Sequence, residues 1–129
     1  MTTATKKFLC LCYYSEAEFK AWTPEQQAAV PDACAPHDKA LRATGKCLMN
    51  TSLSEPDTAR VIRSSANGPV VTNGAYAPTP EPVGAMFIVE AADIDEAVKI
   101  ASLHPGANLP QFFRTGGIEV RAFDYFEAK

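Results

Sequence analysis

From Lys6 to Tyr14 the chain alternates between two apolar sets. Phe8, Cys10, Cys12 and Tyr14 fall on one face of an extended segment, and Leu9, Leu11 and Tyr13 on the other. This predicts a strand over 6–14 with both faces covered, one by helices and the other by a second sheet. The period then changes. Ser15 with Glu18, and Thr23 with Gln26, have the spacing of capping boxes, and Pro24 suits a first helical position. Helices are predicted over 15–21 and 24–44, with Gly45 as a left-handed cap. Pro31 and Pro36 each remove a backbone donor and disfavour helix in the preceding residue, which predicts a break or kink near Val30. Strands follow over 47–53, 58–64, 69–72 and 83–90. Asp93 with Glu96 opens another helix with an apolar face of Ile94, Ala97, Val98 and Ala101, stopped by Pro105-Gly106. A last strand covers 117–126.

Strand, helix, strands, helix, strand is the order of an α+β sandwich of ferredoxin-like type, an antiparallel sheet with helices on one face. The second apolar face of the first strand then needs a cover, and a second copy of the chain is the simplest one. Between the third and fourth of these strands, Val70-Val-Thr-Asn-Gly-Ala-Tyr76 runs into the proline-studded segment Ala77-Pro-Thr-Pro-Glu-Pro82. Asn-Gly followed by closely spaced prolines describes a loop of fixed shape, and such loops on rigid scaffolds often carry function.

Composition narrows the class. A chain of 129 residues is long enough for one core and too short for two, so 1–129 is expected to be a single domain. A net charge of −3, with no basic run interleaved with aromatics, argues against nucleic acid as a partner. Apolar runs of only a handful of residues argue against a membrane span. Met1 to Lys7 leads into Phe8-Leu-Cys-Leu-Cys12 without a small-residue cleavage site, the pattern of a first strand rather than a signal peptide. The four cysteines show no CxxC or Cys/His zinc spacing, and Cys10 and Cys12 cannot readily bridge within one strand. Reduced core thiols in a cytoplasmic protein are expected.

Acid–base chemistry near neutral pH points first to the two histidines. His37 lies within a helix beside Asp38, and adjacent helical residues point about 100° apart, so Asp57 or Glu81 would be the better carboxylate partner. The alternative for His37 is a solvated or capping side chain. His104 closes a helix before Pro105, where a cation would favour the C-terminal end of the dipole. Either Asn73 and Tyr76 line a cleft and hydrogen-bond a small polar ligand, or Asn73 and Gly74 simply form a turn. Arg63 or Arg121 would hold a carboxylate or phenolate if it faced that cleft, or pair with surface acids if it did not; Glu119 shares the strand face of Arg121. Trp22 is expected as a lid or packing residue. No metal ligand set, Gly-rich phosphate loop or cofactor is indicated.

Several segments together resemble the YCII-related proteins, in particular the subgroup with a Thr-Asp-Gly-Pro-Phe motif. They are Phe8–Tyr14, Arg42-Ala-Thr-Gly45, Thr72-Asn-Gly-Ala-Tyr76 with Gly84-Ala-Met-Phe-Ile-Val89, Asp93-Ile-Asp-Glu-Ala97 closing at His104-Pro105, and Gly117-Ile-Glu-Val-Arg121. The motif aspartate is Asn73 here, and the motif Pro-Phe is Ala75-Tyr76. The resemblance implies a dimeric α/β barrel, two ferredoxin-like protomers packed sheet to sheet with a cleft between sheet and helices. It also implies a His–Asp dyad whose histidine register falls near Cys34, with His37 about one turn later. Two functions compete on this footing. One is a cofactor-independent acid–base enzyme of lyase, dehydrohalogenase or isomerase type, with His37 and Asp57 catalytic and Asn73, Tyr76, Arg63, Glu81 and His104 around a small organic ligand. The other is a non-catalytic ligand-binding or regulatory homodimer. Oxygen-dependent oxidation of an aromatic or haem is a weaker third.

Overall fold

The computed structural model describes residues 5–129, so the first four residues of the expected run-in to the first strand lie outside it. Six strands and three helices follow in the order β1 (Lys6–Tyr13), α1 (Glu16–Ala21), α2 (Pro24–Ala43), β2 (Cys47–Ser52), β3 (Arg60–Arg63), β4 (Val70–Asn73), β5 (Val83–Ala91), α3 (Ile94–Ala101) and β6 (Gly117–Ala122). Four strands form one antiparallel sheet in the order β2-β5-β1-β6, the ferredoxin-like arrangement expected from the element order. The remaining two strands pair only with each other as a hairpin, with Ile62 opposite Val71.

The two residue sets of β1 divide the sheet into two faces. Phe8, Cys10 and Cys12 lie opposite Val89, Phe87 and Ala85 on β5. With Ala91, Ala97, Ile100, Ala101 and Leu41 they make the core beneath the helices. The other face carries Leu9 and Leu11, in register with Ile88 and Met86 on β5 and through them with Met49 and Thr51 on β2. In the isolated chain no helix covers this second face, and Leu9, Leu11, Met49 and Met86 remain only partly buried.

Local chemistry explains most element ends. Thr23 and Gln26 form a reciprocal capping box at α2, while Ser15 and Asp93 each accept the amide of the residue three positions on. The break expected near Val30 is absent: α2 runs unbroken through Pro31 and Pro36. Both prolines, and Gln27 and Asp32 whose carbonyls they release, lie on the exposed side, within reach of solvent. The last strand stops at Ala122 rather than Phe126: its ladder with β1 ends at the pair Phe8–Ala122, and one further bond, from the Phe123 amide to the Lys7 carbonyl at 3.3 Å, closes it. The strand expected from Thr58 starts at Arg60 instead, after a 3₁₀ turn over Pro56–Thr58. On α3 the buried residues are Ala97, Ile100 and Ala101, while Ile94 and Val98 flank the edge strand and stay exposed.

Candidate functional site

A cavity of about 550 Å³ opens between the sheet and helices α1 and α2. It exists because α2 touches the core only near its end. Leu41 is the one fully buried residue of that helix, and Val30, Cys34 and Asp38 above it line open space. Those four positions share one face at helical spacing. The floor comes from Cys12, Ala85 and Ile118 on the sheet, and one wall is aromatic. There Tyr14, Phe19, Trp22, Phe112 and Phe113 form a chain of edge and tilted contacts with centroids 5.1 to 6.4 Å apart.

The proline segment fixes the mouth. The carbonyls of Pro82 and Pro80 accept the amides of Tyr14 and Glu16 at 3.1 Å, which holds the junction between β1 and α1. Tyr14 lies against Gly84 so closely that a Cβ there would come within 2.5 Å of the ring. Glu18 accepts the Arg114 amide with both carboxylate oxygens, at 2.9 and 3.2 Å, and so ties α1 to the loop before β6.

His104 is the polar group most firmly placed in this cavity. Its ring stacks on Phe87 at 4.6 Å and 5°. The Gly106 amide donates to Nδ1 at 2.9 Å, within the turn that Pro105 starts. A nitrogen that accepts a hydrogen bond carries no proton, so the neutral ring holds its proton on Nε2. Nε2 lies 4.0 Å from Cys12 Sγ at the cavity floor. Burial pushes the His104 pKa below its ordinary 6.5, and the Asp38 carboxylate opposes that shift without cancelling it. The geometry is therefore a neutral imidazole presenting one N–H donor, with a carboxylate in the same cavity. A cation at the end of α3, one role open to His104 from sequence, does not fit a ring so buried and so bonded.

Burial disfavours the thiolate form of the cysteines nearby. Burial holds both Cys10 and Cys12 up at about 12, and it raises Cys34 and Cys47 as well. Among the described residues no group of three or more His, Cys, Asp or Glu side chains is placed to hold a metal ion. No helix of the described chain is long and apolar enough to cross a membrane.

Of the residues proposed from sequence as catalytic or ligand-binding, His104 alone lines the cavity, and Trp22, expected as a lid or packing residue, lines it as well. His37 sits on α2 one position from Asp38 and therefore off the inward face. Asp57 is exposed in the 3₁₀ turn, outside the lining, and its charge acts on Tyr14 instead. The dyad of His37 and Asp57 is thus not assembled at the cavity, because the two stand on a helix flank and an exposed turn. Asn73, Arg63 and Tyr76 belong to the exposed hairpin, where the Arg63 guanidinium covers the Tyr76 ring at 4.6 Å and donates to the Tyr76 carbonyl. Glu81 is also outside the lining and accepts the Gly116 amide at 2.8 Å. Glu119 accepts from the Tyr13 hydroxyl at 3.1 Å. Trp22 packs on Phe19, Phe112 and Phe113 at the cavity wall. Asp38, Tyr14, Phe112 and Phe113 were not picked out; only the α2 spacing from Val30 to Leu41 could have pointed to Asp38.

Comparison with known proteins places this architecture. The chain is 32% identical over 115 residues to the uncharacterised protein R00369 of Rhizobium meliloti (strain 1021), an alignment covering 88% of this chain and 89% of that protein. Residues 6–122 match the YCII-related domain, and the chain belongs to that family.

Proposed function

We propose that the cavity binds a small, mostly apolar organic molecule bearing a carbonyl or hydroxyl oxygen, and that His104 and Asp38 serve it in cofactor-independent proton transfer. The observation that carries this reading is the fixed tautomer of His104. With Nδ1 occupied by the Gly106 amide, Nε2–H is a donor that needs no reorganisation to polarise an oxygen in a mostly apolar cavity. Asp38 is the carboxylate available to take a proton from the carbon beside that oxygen. His104 is thus the electrophile of the pair and Asp38 the base. The dimer and the cytoplasmic setting expected from sequence belong to the same reading. The uncovered sheet face of Leu9, Leu11, Met86 and Met49 supports the first, and free thiols at Cys10, Cys12, Cys34 and Cys47 suit the second. Sedimentation of the purified chain should give twice the 13.9 kDa protomer mass; a monomer at micromolar concentration would remove the dimer.

The lone tryptophan, Trp22, lines the cavity and reports occupancy by fluorescence. Acetophenone is expected to change that signal saturably, and its methyl protons to exchange with solvent deuterium faster than in buffer. His104→Leu should weaken binding by roughly 10- to 100-fold, the worth of a buried hydrogen bond, whereas His104→Gln keeps a donor and loses less. Stability carries a second signature. The folded pKa of His104 lies below 6.5, so the unfolded chain binds the extra proton first as pH falls. Wild-type stability from this group is complete above pH 6.5 and declines as pH drops toward the folded value, and His104→Gln should flatten that decline. Saturable binding without deuterium exchange would leave a ligand-binding module and remove the enzyme. Equal acetophenone affinity in wild type and His104→Leu would remove His104 from the site.

A further inference from the structure

The charges around the cavity carry more than its shape does. Glu18, Asp38 and Glu55 all contribute to the lining, and no lysine or arginine does. The single ion pair among the described residues, Lys20 with Glu16, lies outside this lining. Glu18 receives only a backbone amide, which is neutral. Negative charge therefore faces the cavity without a protein counter-ion. Tyr14 at the mouth feels the acids as well: burial raises its phenol first, and Glu16, Glu55 and Asp57 add to the rise. The wall beside them is made of Tyr14, Phe19 and Trp22, whose ring faces are themselves electronegative.

From this combination we infer that the ligand is a cation, an organic amine protonated at neutral pH, with its ammonium held between the aromatic wall and the carboxylates. The inference rests on the proposal that the cavity is a binding site, and it adds the charge class of what enters. An ammonium gains from the ring faces and from the carboxylates beside them. An anion meets three carboxylates and no fixed cation, so the site selects against carboxylates and phosphates as strongly as it selects for amines. The two ends of the cavity then divide the work. The Nε2–H of His104 serves an oxygen at the floor, and the aromatic and acidic mouth serves the amine.

Three probes of one shape test this: benzylamine, benzyl alcohol and benzoate, each titrated against wild type with Trp22 fluorescence as the readout. The amine is expected to bind at least about tenfold more tightly than the alcohol, with benzoate weakest, and the ratio to shrink with added salt. Glu55→Gln and Asp38→Asn should each lower the amine-to-alcohol affinity ratio several-fold, a readout that a general loss of folding or pocket shape would not move. An alcohol bound as tightly as the amine, or benzoate bound best, overturns the inference while leaving the cavity as a binding site. Failure of all three to bind overturns both.

Discussion

Phe87→Ala should cost about 3–5 kcal/mol and bring the chain close to unfolding, since removing a buried ring loses its transfer energy and leaves a cavity besides. Phe87 is fully buried at the centre of β5, opposite Cys10 on β1 and Asn50 on β2. Nothing in a sheet held by ladder bonds on both sides can collapse to fill the space. The same ring is the platform of His104, stacked at 4.6 Å, so its loss reaches the candidate site directly. Water admitted beside the imidazole removes the desolvation that depresses its pKa, and the histidine should titrate closer to 6.5. Urea midpoints read the first effect, and imidazole proton shifts against pH read the second. Phe87→Leu separates them, because it keeps most of the apolar volume and removes the stack. A Phe87→Ala midpoint within 1 kcal/mol of wild type would mean that the core is not centred on this residue.

The fold was legible because two signals in the sequence were local and strong. The two apolar sets of β1 announced a sheet with both faces committed, and the caps at Ser15, Thr23 and Asp93 placed every helix start within a residue. What failed was the weight given to proline. Pro31 and Pro36 are costly only where the released carbonyl lacks water, and sequence alone does not say which side of α2 faces solvent. The shortened last strand failed for a different reason. Phe123 to Phe126 suits a strand, but strand length belongs to the pair, and the ladder with β1 ends at Phe8 and Ala122.

The site was far less legible. Sequence reasoning ranked residues by chemical type and by motif, which drew attention to His37 and to the Asn73-Gly74 loop. Geometry ranks them by direction. On α2 a single step along the helix separates the cavity-facing Asp38 from the off-face His37. The proline segment of that loop has a backbone task, with Pro80 and Pro82 supplying carbonyls that pin the start of α1. His104 was visible as a histidine but not as a neutral one. Its tautomer depends on the turn at Pro105-Gly106, and its burial on Phe87, which lies far away in sequence.

Gly116→Ala should be nearly as damaging as the core variant, by a mechanism that involves no core residue. Gly116 has φ +84°, and a Cβ built on it would fall 2.2 Å from the Tyr13 carbonyl oxygen, 2.8 Å from that carbonyl carbon and 3.0 Å from Tyr14 Cα. All three are backbone atoms, so no rotamer change relieves the overlap. An L-residue in left-handed backbone costs roughly 1–2 kcal/mol, and overpacking adds about 1–3 kcal/mol. The loss should therefore total roughly 2–5 kcal/mol, read as a fall in the urea midpoint. It should also reach the cavity. Gly116 donates its amide to Glu81, and its neighbours Tyr13, Tyr14 and Gly117 all line the space, so pushing β6 away from the end of β1 loosens the mouth. Gly117→Ala is the internal control, one residue on at the start of β6, where a Cβ would meet nothing within 4 Å. That variant should keep the wild-type midpoint within about 0.5 kcal/mol. If the two alanine variants proved equally stable, the backbone at Gly116 would have to move freely. The rigid mouth that the aromatic wall and the proline segment build would then be the wrong description of how ligands enter.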